Sequence, residues 1–296
     1  MTPRAAWLTG LCGMLLFSVN FPAGRHGLLA GLTPQDLVAV RYAVAGVMFA
    51  PVLARLGLGG IGPWRAIVLM LLGGVPYFLL IVAGLSFAPS AHAAVLNPGG
   101  TTVFALLIVH AVMGTRPAPR VLLALGAVLA GLVLVAAPFA APMPPRTWIG
   151  DLLLLASGLS WAGFGVLLQV WRVGGLRGAA IISVLSLAWL PAHAVLWGFD
   201  GLIDHPGEAA LQALLQGVCA GGVAVALYAR AVAALGAARA AFLPPVVPAL
   251  ATLWSAVFLG ETVSAPQIAG MALVVGGMAA AAIRPRATRA TRPPAT

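Results

Sequence analysis

The stretch that decides the fold occurs twice, as HAAVLNP at residues 92–98 and as RAAFLPP at residues 239–245. The two copies lie 147 positions apart in a chain of 296 residues, which indicates that the second half repeats the first. Each copy places a proline inside an apolar run, where a helix would otherwise continue. The meaning of these prolines depends on the solvent that surrounds them, and the composition identifies that solvent.

Hydrophobic residues make up 61% of the sequence and charged residues 7%, and the mean hydropathy is +1.05. Soluble domains carry about a quarter charged residues, so an ordinary soluble protein is excluded. The N-terminal apolar run has no convincing signal-peptide cleavage site, and we interpret it as a retained first transmembrane helix.

A membrane-spanning helix needs about 20 apolar residues. Charges, prolines and glycine clusters divide the chain into ten such segments, so the sequence predicts an all-α polytopic membrane protein with ten transmembrane helices. The predicted segments are residues 5–22, 35–54, 66–86, 90–112, 120–138, 149–171, 178–198, 209–229, 239–259 and 266–283. They leave little room for a soluble domain.

Charge predicts the orientation of these segments. Thirteen of the sixteen arginines fall on the side that holds the N-terminus, whereas Arg25 and Arg146 fall on the other side and Arg41 falls within a span. All six acids lie in or beside the loops opposite the N-terminus. Because short cytoplasmic loops are rich in arginine and lysine, we expect both termini in the cytoplasm of a bacterium and the helices in its inner membrane.

The repeated phrase falls in the fourth and the ninth predicted helix, so each half contains five helices. Five is an odd number, and the second half must therefore enter the membrane in the opposite sense, as in secondary transporters with inverted repeats. We expect a first repeat at residues 1–138 and a second, inverted repeat at 139–283. Residues 284–296 form a basic, proline-containing stretch that we expect to be a disordered cytoplasmic tail.

The prolines of the phrase are predicted hinges. Pro98 cannot donate a hydrogen bond to the carbonyl of Ala94, and Pro245 cannot donate one to the carbonyl of Ala241. Carbonyls freed in this way need another partner within the membrane, so such breaks persist where they face protein or a water-filled cavity. The pairing of the two breaks by the repeat favours a central cavity between the halves.

These features resemble the drug/metabolite transporter superfamily and, within it, the EamA-type transporters. The residues that carry the resemblance are RYAVAG at 41–46, the alanine, histidine and proline phrase at 92–98, RAAFLPPVVPAL at 239–250 and LGET at 259–262. The first half departs from the pattern, with Thr115 where an acid would match Glu261. The resemblance implies export of small metabolites, and the chain is most similar to bacterial amino-acid exporters, including those for aromatic amino acids.

Three polar residues are candidates for the substrate site. Arg41 lies inside a span, where a charge indicates function, although an arginine that reaches the headgroups or locks helix ends would look the same. Asn97 stands beside Pro98 and could bind a carboxylate or an ammonium group. His92 could contact substrate or carry a proton, or it could be a hydrogen-bonded structural residue.

The remaining candidates are aromatic residues in the middle of predicted helices. An apolar, aromatic wall with few polar groups is typical of a small-molecule pocket, although aromatic residues at such positions also pack helices together. The aromatic candidates for substrate binding are Tyr77, Phe78, Trp161, Phe164, Tyr228 and Trp254.

The sequence offers little for other classes of protein. The stretch GLGGIG at 57–62 matches a dinucleotide-binding pattern but lies in a short loop with no preceding strand, and we expect no enzyme activity, cofactor or metal. No acid is predicted deep in a span, which leaves His92 as the candidate for proton coupling, or facilitated diffusion. We expect a small-molecule substrate, membrane lipid as surroundings and no nucleic-acid partner.

The predicted function is export of amino acids or related metabolites by alternating access, and the alternative is efflux of lipophilic drugs or nucleosides. GxxxG patterns at 27–31 and 217–221 suit helix packing within the chain or in a homo-oligomer.

Overall fold

The computed structural model describes residues 1–113, 118–136, 144–240 and 242–282, and this part of the chain is helical throughout, without strands. Ten helices, here α1 to α10, form one bundle, as the sequence predicts. Seven of them are long and apolar enough to cross a membrane, and α5, α9 and α10 are shorter apolar helices. The helices are α1 (Pro3–Leu29), α2 (Pro34–Leu56), α3 (Pro63–Phe87), α4 (Ser90–Met113), α5 (Pro119–Ala136), α6 (Thr147–Val170), α7 (Gly175–Leu196), α8 (Pro206–Leu235), α9 (Pro244–Leu259) and α10 (Ala265–Ala282).

Local sequence signals set the helix starts. Prolines stand in the first turn of several helices, including α1, α2 and α3, where the missing N–H costs no hydrogen bond. The start of α2 is also fixed by a capping box, in which Thr33 and Asp36 satisfy each other's backbone N–H groups.

The contacts between helices follow the internal repeat. The pairs α2 with α7, α4 with α9 and α5 with α10 join equivalent helices of the two halves. The packing of α4 on α6 is matched by that of α9 on α1, and the packing of α3 on α6 by that of α8 on α1. This is the pairing of two inverted five-helix repeats, each of which lends its first helix to the other half.

The seam between α5 and α10 depends on glycine. A Cβ atom on Gly131 would lie 2.5 Å from the carbonyl oxygen of Gly270, and one on Gly270 would lie 2.7 Å from the carbonyl oxygen of Gly131. Both distances are shorter than carbon and oxygen tolerate, so only glycine permits the two backbones to approach this closely.

Five helices depart from regular α-helical geometry within the described part of the bundle, one of them being α7, with a 3₁₀ turn at Ser186–Ala188. Helix α1 is broken at Val19 and α3 at Gly74, while α8 contains a π-helical stretch at Ala213–Val223. Helix α9 begins with a 3₁₀ turn at Pro244–Val246. Irregular backbone within a membrane bundle occurs where it is buried in protein or lines a cavity, so these breaks mark the region in which a site is expected.

The predicted pair of proline breaks is only half present. Helix α4 runs from Ser90 to Met113 as one helix through Pro98, so the break expected there is wrong, whereas the second copy does leave the α-helical path at Pro244–Val246. Two consecutive prolines remove two N–H donors and also disfavour helical backbone in the preceding residue. A single proline removes one donor, and the helix continues past it.

Ala241 and the predicted tail at 284–296 lie outside the described residues, as does the predicted boundary between the repeats at 138 and 139.

The bundle has two chemically different ends. All six acids of the sequence lie at the end where the even-numbered helices begin, which we call the acidic end. The chain begins at the opposite end, where α2 gives way to α3 and α6 to α7, and we call it the basic end because it carries Arg55, Arg65, Arg172 and Arg177.

Candidate functional site

Arg41 is the centre of a buried polar cluster that joins the two repeats. Its Nη1 donates to Oδ1 of Asn20 on α1 at 2.7 Å and to Oε1 of Gln216 on α8 at 3.0 Å. It also lies 3.4 Å from the backbone carbonyl oxygen of Gln216, and the Arg41 side chain is 8% exposed. All of these partners are neutral, and no ion pair of Arg41 occurs in the described part of the chain.

The interruptions in the helices supply this cluster. Asn20 follows the break in α1 directly, and Gln216 lies within the π-helical stretch of α8. The amide nitrogen Nε2 of Gln216 donates to the backbone carbonyl oxygen of Asn20 at 2.7 Å, which closes the cluster. Counting 1.5 Å per residue from the acidic end, Arg41, Asn20 and Gln216 lie about 10–15 Å deep, close to the midplane of a bilayer.

Aromatic residues of α2 and α3 lie around the guanidinium group. Its Cζ lies 4.3 Å from the centre of the Phe78 ring, which is a cation–π distance. The Tyr42 ring meets the Phe78 ring edge-on, with ring centres 6.4 Å apart, and Tyr77 lies near both Arg41 and Asn97. Both α3 residues follow the break at Gly74, so the break brings them to Arg41.

Asn97 extends the polar cluster from Arg41 toward α6. Its Nδ2 donates to Oγ of Ser157 at 2.8 Å, and Ser157 in turn donates to the carbonyl oxygen of Leu154. The backbones touch here, because a Cβ atom on Gly158 would lie 2.9 Å from the carbonyl oxygen of Asn97. The side chain of Asn97 is thus held at the point where the two repeats meet.

Tyr77, Trp161 and Phe164 form a continuous aromatic row beside the polar cluster. Tyr77 stacks on Trp161 with ring centres 4.7 Å apart, and Trp161 meets Phe164 at 4.9 Å. Phe164 packs on Gly73, where a Cβ atom would lie 2.9 Å from the ring. The row leads from the Arg41 cluster toward the basic end.

Two predicted aromatic residues lie elsewhere. Trp254 donates through Nε1 to Oγ of Ser18 at 2.9 Å and packs against the exposed Phe258. Tyr228 is half-buried on α8, where its backbone nitrogen approaches Gly13 of α1. These contacts join α8 and α9 to α1. In the other half of the bundle, the equivalent contacts join α3 and α4 to α6.

His92 belongs to a second buried cluster at the acidic end. Its Nδ1 lies 2.8 Å from Oδ1 of Asp151 on α6, and its Nε2 lies 3.2 Å from Nε2 of Gln267 on α10. The imidazole has no exposed surface and Asp151 is 8% exposed. Asp151 was expected in or beside a loop as an orientation signal, and the structure places it near the start of α6, buried and paired with His92.

Glu261 closes the same end of the bundle. Its carboxylate accepts hydrogen bonds from the backbone N–H groups of Ser90 and Ala91 and from the Ser90 hydroxyl, at 2.9–3.2 Å. It therefore caps the N-terminus of α4 from the chain that follows α9, and the helix dipole favours a negative charge there. The corresponding Thr115 lies outside the described residues.

Sequence reasoning identified Arg41, Tyr77, Phe78 and Asn97 but missed several of their partners. Gln216 was the hardest case, because it stands in an apolar run without a signal. Tyr42 directly follows Arg41, and its adjacency was the one available signal. Gln267 could have been noticed from the pattern Ser-Ala-Pro-Gln at 264–267, which is a capping box.

Comparisons with known proteins agree with this architecture. The EamA-like transporter family matches residues 4–137 and 148–283, one match for each repeat. An uncharacterized protein of Pseudomonas aeruginosa is 30% identical over 299 residues, which cover 99% of each chain.

Among solved structures, one reported as a crystal structure of a protein matches with a TM-score of 0.59 and 20% identity, over 94% of this chain and 98% of that one. At this identity the likeness concerns the fold alone. The matches of the family to both halves, together with ten apolar helices in two inverted repeats, lead to one conclusion. The chain is a multi-pass membrane protein that belongs to the EamA-like transporter family.

Proposed function

We propose that the protein exports amino acids or close analogues across the inner membrane of a bacterium, and that Arg41 binds the carboxylate of the substrate. In this proposal the basic end faces the cytoplasm, and the two repeats open the Arg41 cluster to each side in turn. Membership of a family of transporters supports movement of a small molecule rather than catalysis.

The observation that carries the proposal is the uncompensated charge of Arg41. A buried cation is costly unless a counter-charge or a full set of hydrogen bonds accompanies it. Within the described part of the chain, the hydrogen bonds of Arg41 run from Nη1 to neutral acceptors. A substrate carboxylate supplies the missing negative charge, and its planar oxygens suit the remaining N–H groups of the guanidinium fork.

The surroundings of Arg41 suit the rest of an amino acid. The row of Tyr77, Trp161 and Phe164 offers aromatic faces for an apolar or aromatic side chain and for an ammonium group. The Ala94 carbonyl, which Pro98 leaves without its usual donor, is a second acceptor for the ammonium group. The second predicted acceptor, the Ala241 carbonyl, lies outside the described residues.

The rocking motion has structural support at the repeat seams. Arg41 and Gln216 join α2 to α8, and Asn97 and Ser157 join α4 to α6, so both polar contacts cross from one repeat to the other. A substrate that replaces these contacts would loosen the seams as it binds. The 3₁₀ turn that contains Pro245 is the remaining candidate hinge, since α4 continues through Pro98.

Counterflow in proteoliposomes tests this function directly. Vesicles with the purified protein are preloaded in turn with amino acids, nucleosides or a cationic dye, with no ion gradient, and uptake of the labelled compound is measured. We expect exchange of amino acids and none of nucleosides or dye. Exchange of the dye or of nucleosides alone would instead establish the alternative of drug or nucleoside efflux.

Two variants connect the exchange to the site. Arg41→Gln removes the charge that would bind the carboxylate, and we expect it to weaken amino-acid exchange by about 10-fold or more, as for loss of a charged hydrogen bond. Arg177→Gln removes an arginine at the basic end that donates to the carbonyl oxygen of Leu56 at an exposed position. It serves as the matched control and should leave exchange unchanged.

A further inference from the structure

The hydrogen bonds of His92, Asp151 and Gln267 are consistent with only one position of the proton on the imidazole and one orientation of the amide. Oε1 of Gln267 accepts from the backbone N–H of Ser264 at 2.9 Å and from its hydroxyl at 3.1 Å. The group that Gln267 presents to His92 is therefore its NH₂, which can only donate. His92 must accept at Nε2, and its proton must lie on Nδ1, where it is donated to Asp151.

Protonation of His92 reverses one of these bonds. An imidazolium donates at both nitrogens, so a proton on Nε2 would face the NH₂ of Gln267 at 3.2 Å, donor against donor. The bond to Asp151 becomes an ion pair and persists. The amide of Gln267 must then turn away, or flip and abandon the Ser264 groups that cap α10.

A second partner for Gln267 stands on α9. Oγ1 of Thr252 is buried and has no hydrogen-bond partner in the described structure. Thr252 and Gln267 line the same small space of about 10 Å³, together with Ala91 and Val95 of α4. An NH₂ group that leaves His92 would have Thr252 as an acceptor on the same space, and α10 would then exchange its bond to α4 for one to α9.

The charged groups of the helices around His92 have other partners, and Arg146 at the start of α6 is exposed. Asp151 is the charged residue that α6 presents to it, and Glu261 after α9 is committed to the backbone of Ser90 and Ala91. Arg25 of α1 donates to the carbonyl oxygen of Leu85. His26, also on α1, pairs with Glu208. Helices α3, α5 and α10 carry no charged side chain at this end.

We propose that His92, Asp151 and Gln267 form a proton-binding site that couples uptake of a proton to opening of the acidic end. The cluster bridges α4 of the first repeat to α6 and α10 of the second, so a change in its bonds acts on the seam that must part. With alternating access, which is part of the function proposed above, the proton that His92 takes up at the acidic end is released toward the basic end when the cluster forms again and the acidic end closes. One proton then moves inward for each substrate molecule that is exported.

The matched variant is Asp151→Asn. The asparagine oxygen still accepts the Nδ1 hydrogen bond of His92, but the negative charge that stabilises the imidazolium is gone. The control is Asp36→Asn, since Oδ1 of Asp36 lies 3.2 Å from Nε2 of the other fully buried histidine, His193, without a well-aligned hydrogen bond. Neither aspartate contacts the Arg41 cluster, so both variants should support counterflow of the amino acid.

The first test drives transport with a pH gradient. For exchange of one proton per substrate, a gradient of one pH unit supports about tenfold accumulation of substrate on the more acidic side. We expect this accumulation for the native protein and for Asp36→Asn, and its loss in Asp151→Asn while counterflow persists. Equal accumulation in Asp151→Asn and the native protein would overturn the proposal.

The second test needs no substrate and so remains informative if the proposed function fails. Val95 is 2% exposed and lies about one helical turn after His92 on α4. Val95→Cys, in a protein with Cys12 and Cys219 changed to serine, is labelled with a hydrophilic thiol reagent at pH 8 and pH 5.5. Labelling of the Asp151→Asn background at each pH corrects for thiol reactivity.

We expect labelling at pH 5.5 to rise several-fold above that background. Equal labelling in the two backgrounds at both pH values would contradict opening by protonation. Absence of counterflow with every amino acid, combined with this rise, would remove the proposed substrate and retain the proton site.

Discussion

At the acidic end of the bundle, carboxylates bridge helices, whereas at the basic end the described residues offer arginines that meet neutral groups. Glu261 caps α4, Asp151 holds His92, and Glu208 pairs with His26 at 3.0 Å. At the basic end, Arg177 donates to the carbonyl oxygen of Leu56, and Arg65 lies over the ring of Trp171 at 5.4 Å. The two ends thus have the same architecture by symmetry and different means of closure.

This difference predicts which end of the bundle opens more easily. Buried hydrogen bonds to charged groups are worth more than exposed contacts of arginine, so the acidic end needs a specific event to release it. The basic end can open with less resistance. We therefore expect a resting state that is closed at the acidic end, as a carrier that loads from the basic side requires.

Among the variants that test this difference between the ends, Glu261→Ala should have the largest effect on stability. It removes three hydrogen bonds to a charged acceptor at the start of α4 and leaves the Ser90 and Ala91 N–H groups without that partner. We expect a loss of about 2–3 kcal/mol in the free energy of unfolding, measured by thermal unfolding in detergent.

The control for this prediction is Glu208→Ala at the same end. Its partner His26 is half-exposed, and Glu208 accepts one further hydrogen bond, from Nε2 of Gln212 at 2.8 Å, so the loss should stay well below that of Glu261→Ala. If both variants were equally stable, the cap on α4 would not be what closes the acidic end.

Substitution of the glycines at the two ends of α6 should have an intermediate effect on stability. A Cβ atom on Gly150, near the acidic end, would lie 2.6 Å from the carbonyl oxygen of Gly84, whereas Gly165, near the basic end, has nothing within 4 Å. Gly150→Ala should destabilise the protein by about 1–3 kcal/mol, because the backbone carbonyl of Gly84 cannot move away from the new methyl group. Gly165→Ala should be neutral or stabilising by up to about 1 kcal/mol. Similar unfolding temperatures would show that packing is not tighter at the acidic end.

The smallest effect concerns the basic end alone. Arg172 follows α6 with a φ of 54°, in the left-handed region that favours glycine. Arg172→Gly should therefore stabilise the protein by about 0.5–1 kcal/mol, since the side chain is exposed. A decrease in the unfolding temperature would mean that the arginine contributes to closure of the basic end through its charge.

The sequence predicted the helices well because apolar length and charge punctuation are local properties. Helix α2, for example, was expected at 35–54 and is found at Pro34–Leu56. The π-helical stretch of α8 was not predicted, because no residue within Ala213–Val223 is excluded from an ordinary helix. The equal treatment of Pro98 and Pro245 failed because the second copy contains two prolines and the first contains one.

The site was predicted in part for the same reason. Arg41 is conspicuous because a charge within an apolar segment is visible locally, and Asn97 because it stands beside a proline. Their partners depend on tertiary contacts between distant positions, such as Gln216 with Arg41 and Asp151 with His92. Asp151 was interpreted only as an orientation signal, since its distance from His92 in the chain gives no indication that they touch.

Recognition of a substrate carboxylate by Arg41 is tested most directly with two substrates that differ in this group alone. Counterflow is measured for phenylalanine and for its carboxamide, in the native protein and in Arg41→Gln. We expect the native protein to prefer the amino acid by about 10-fold or more, the size of one charged hydrogen bond, and Arg41→Gln to lose this preference. A preference that persists undiminished in Arg41→Gln would show that another group binds the carboxylate and would contradict the proposed site.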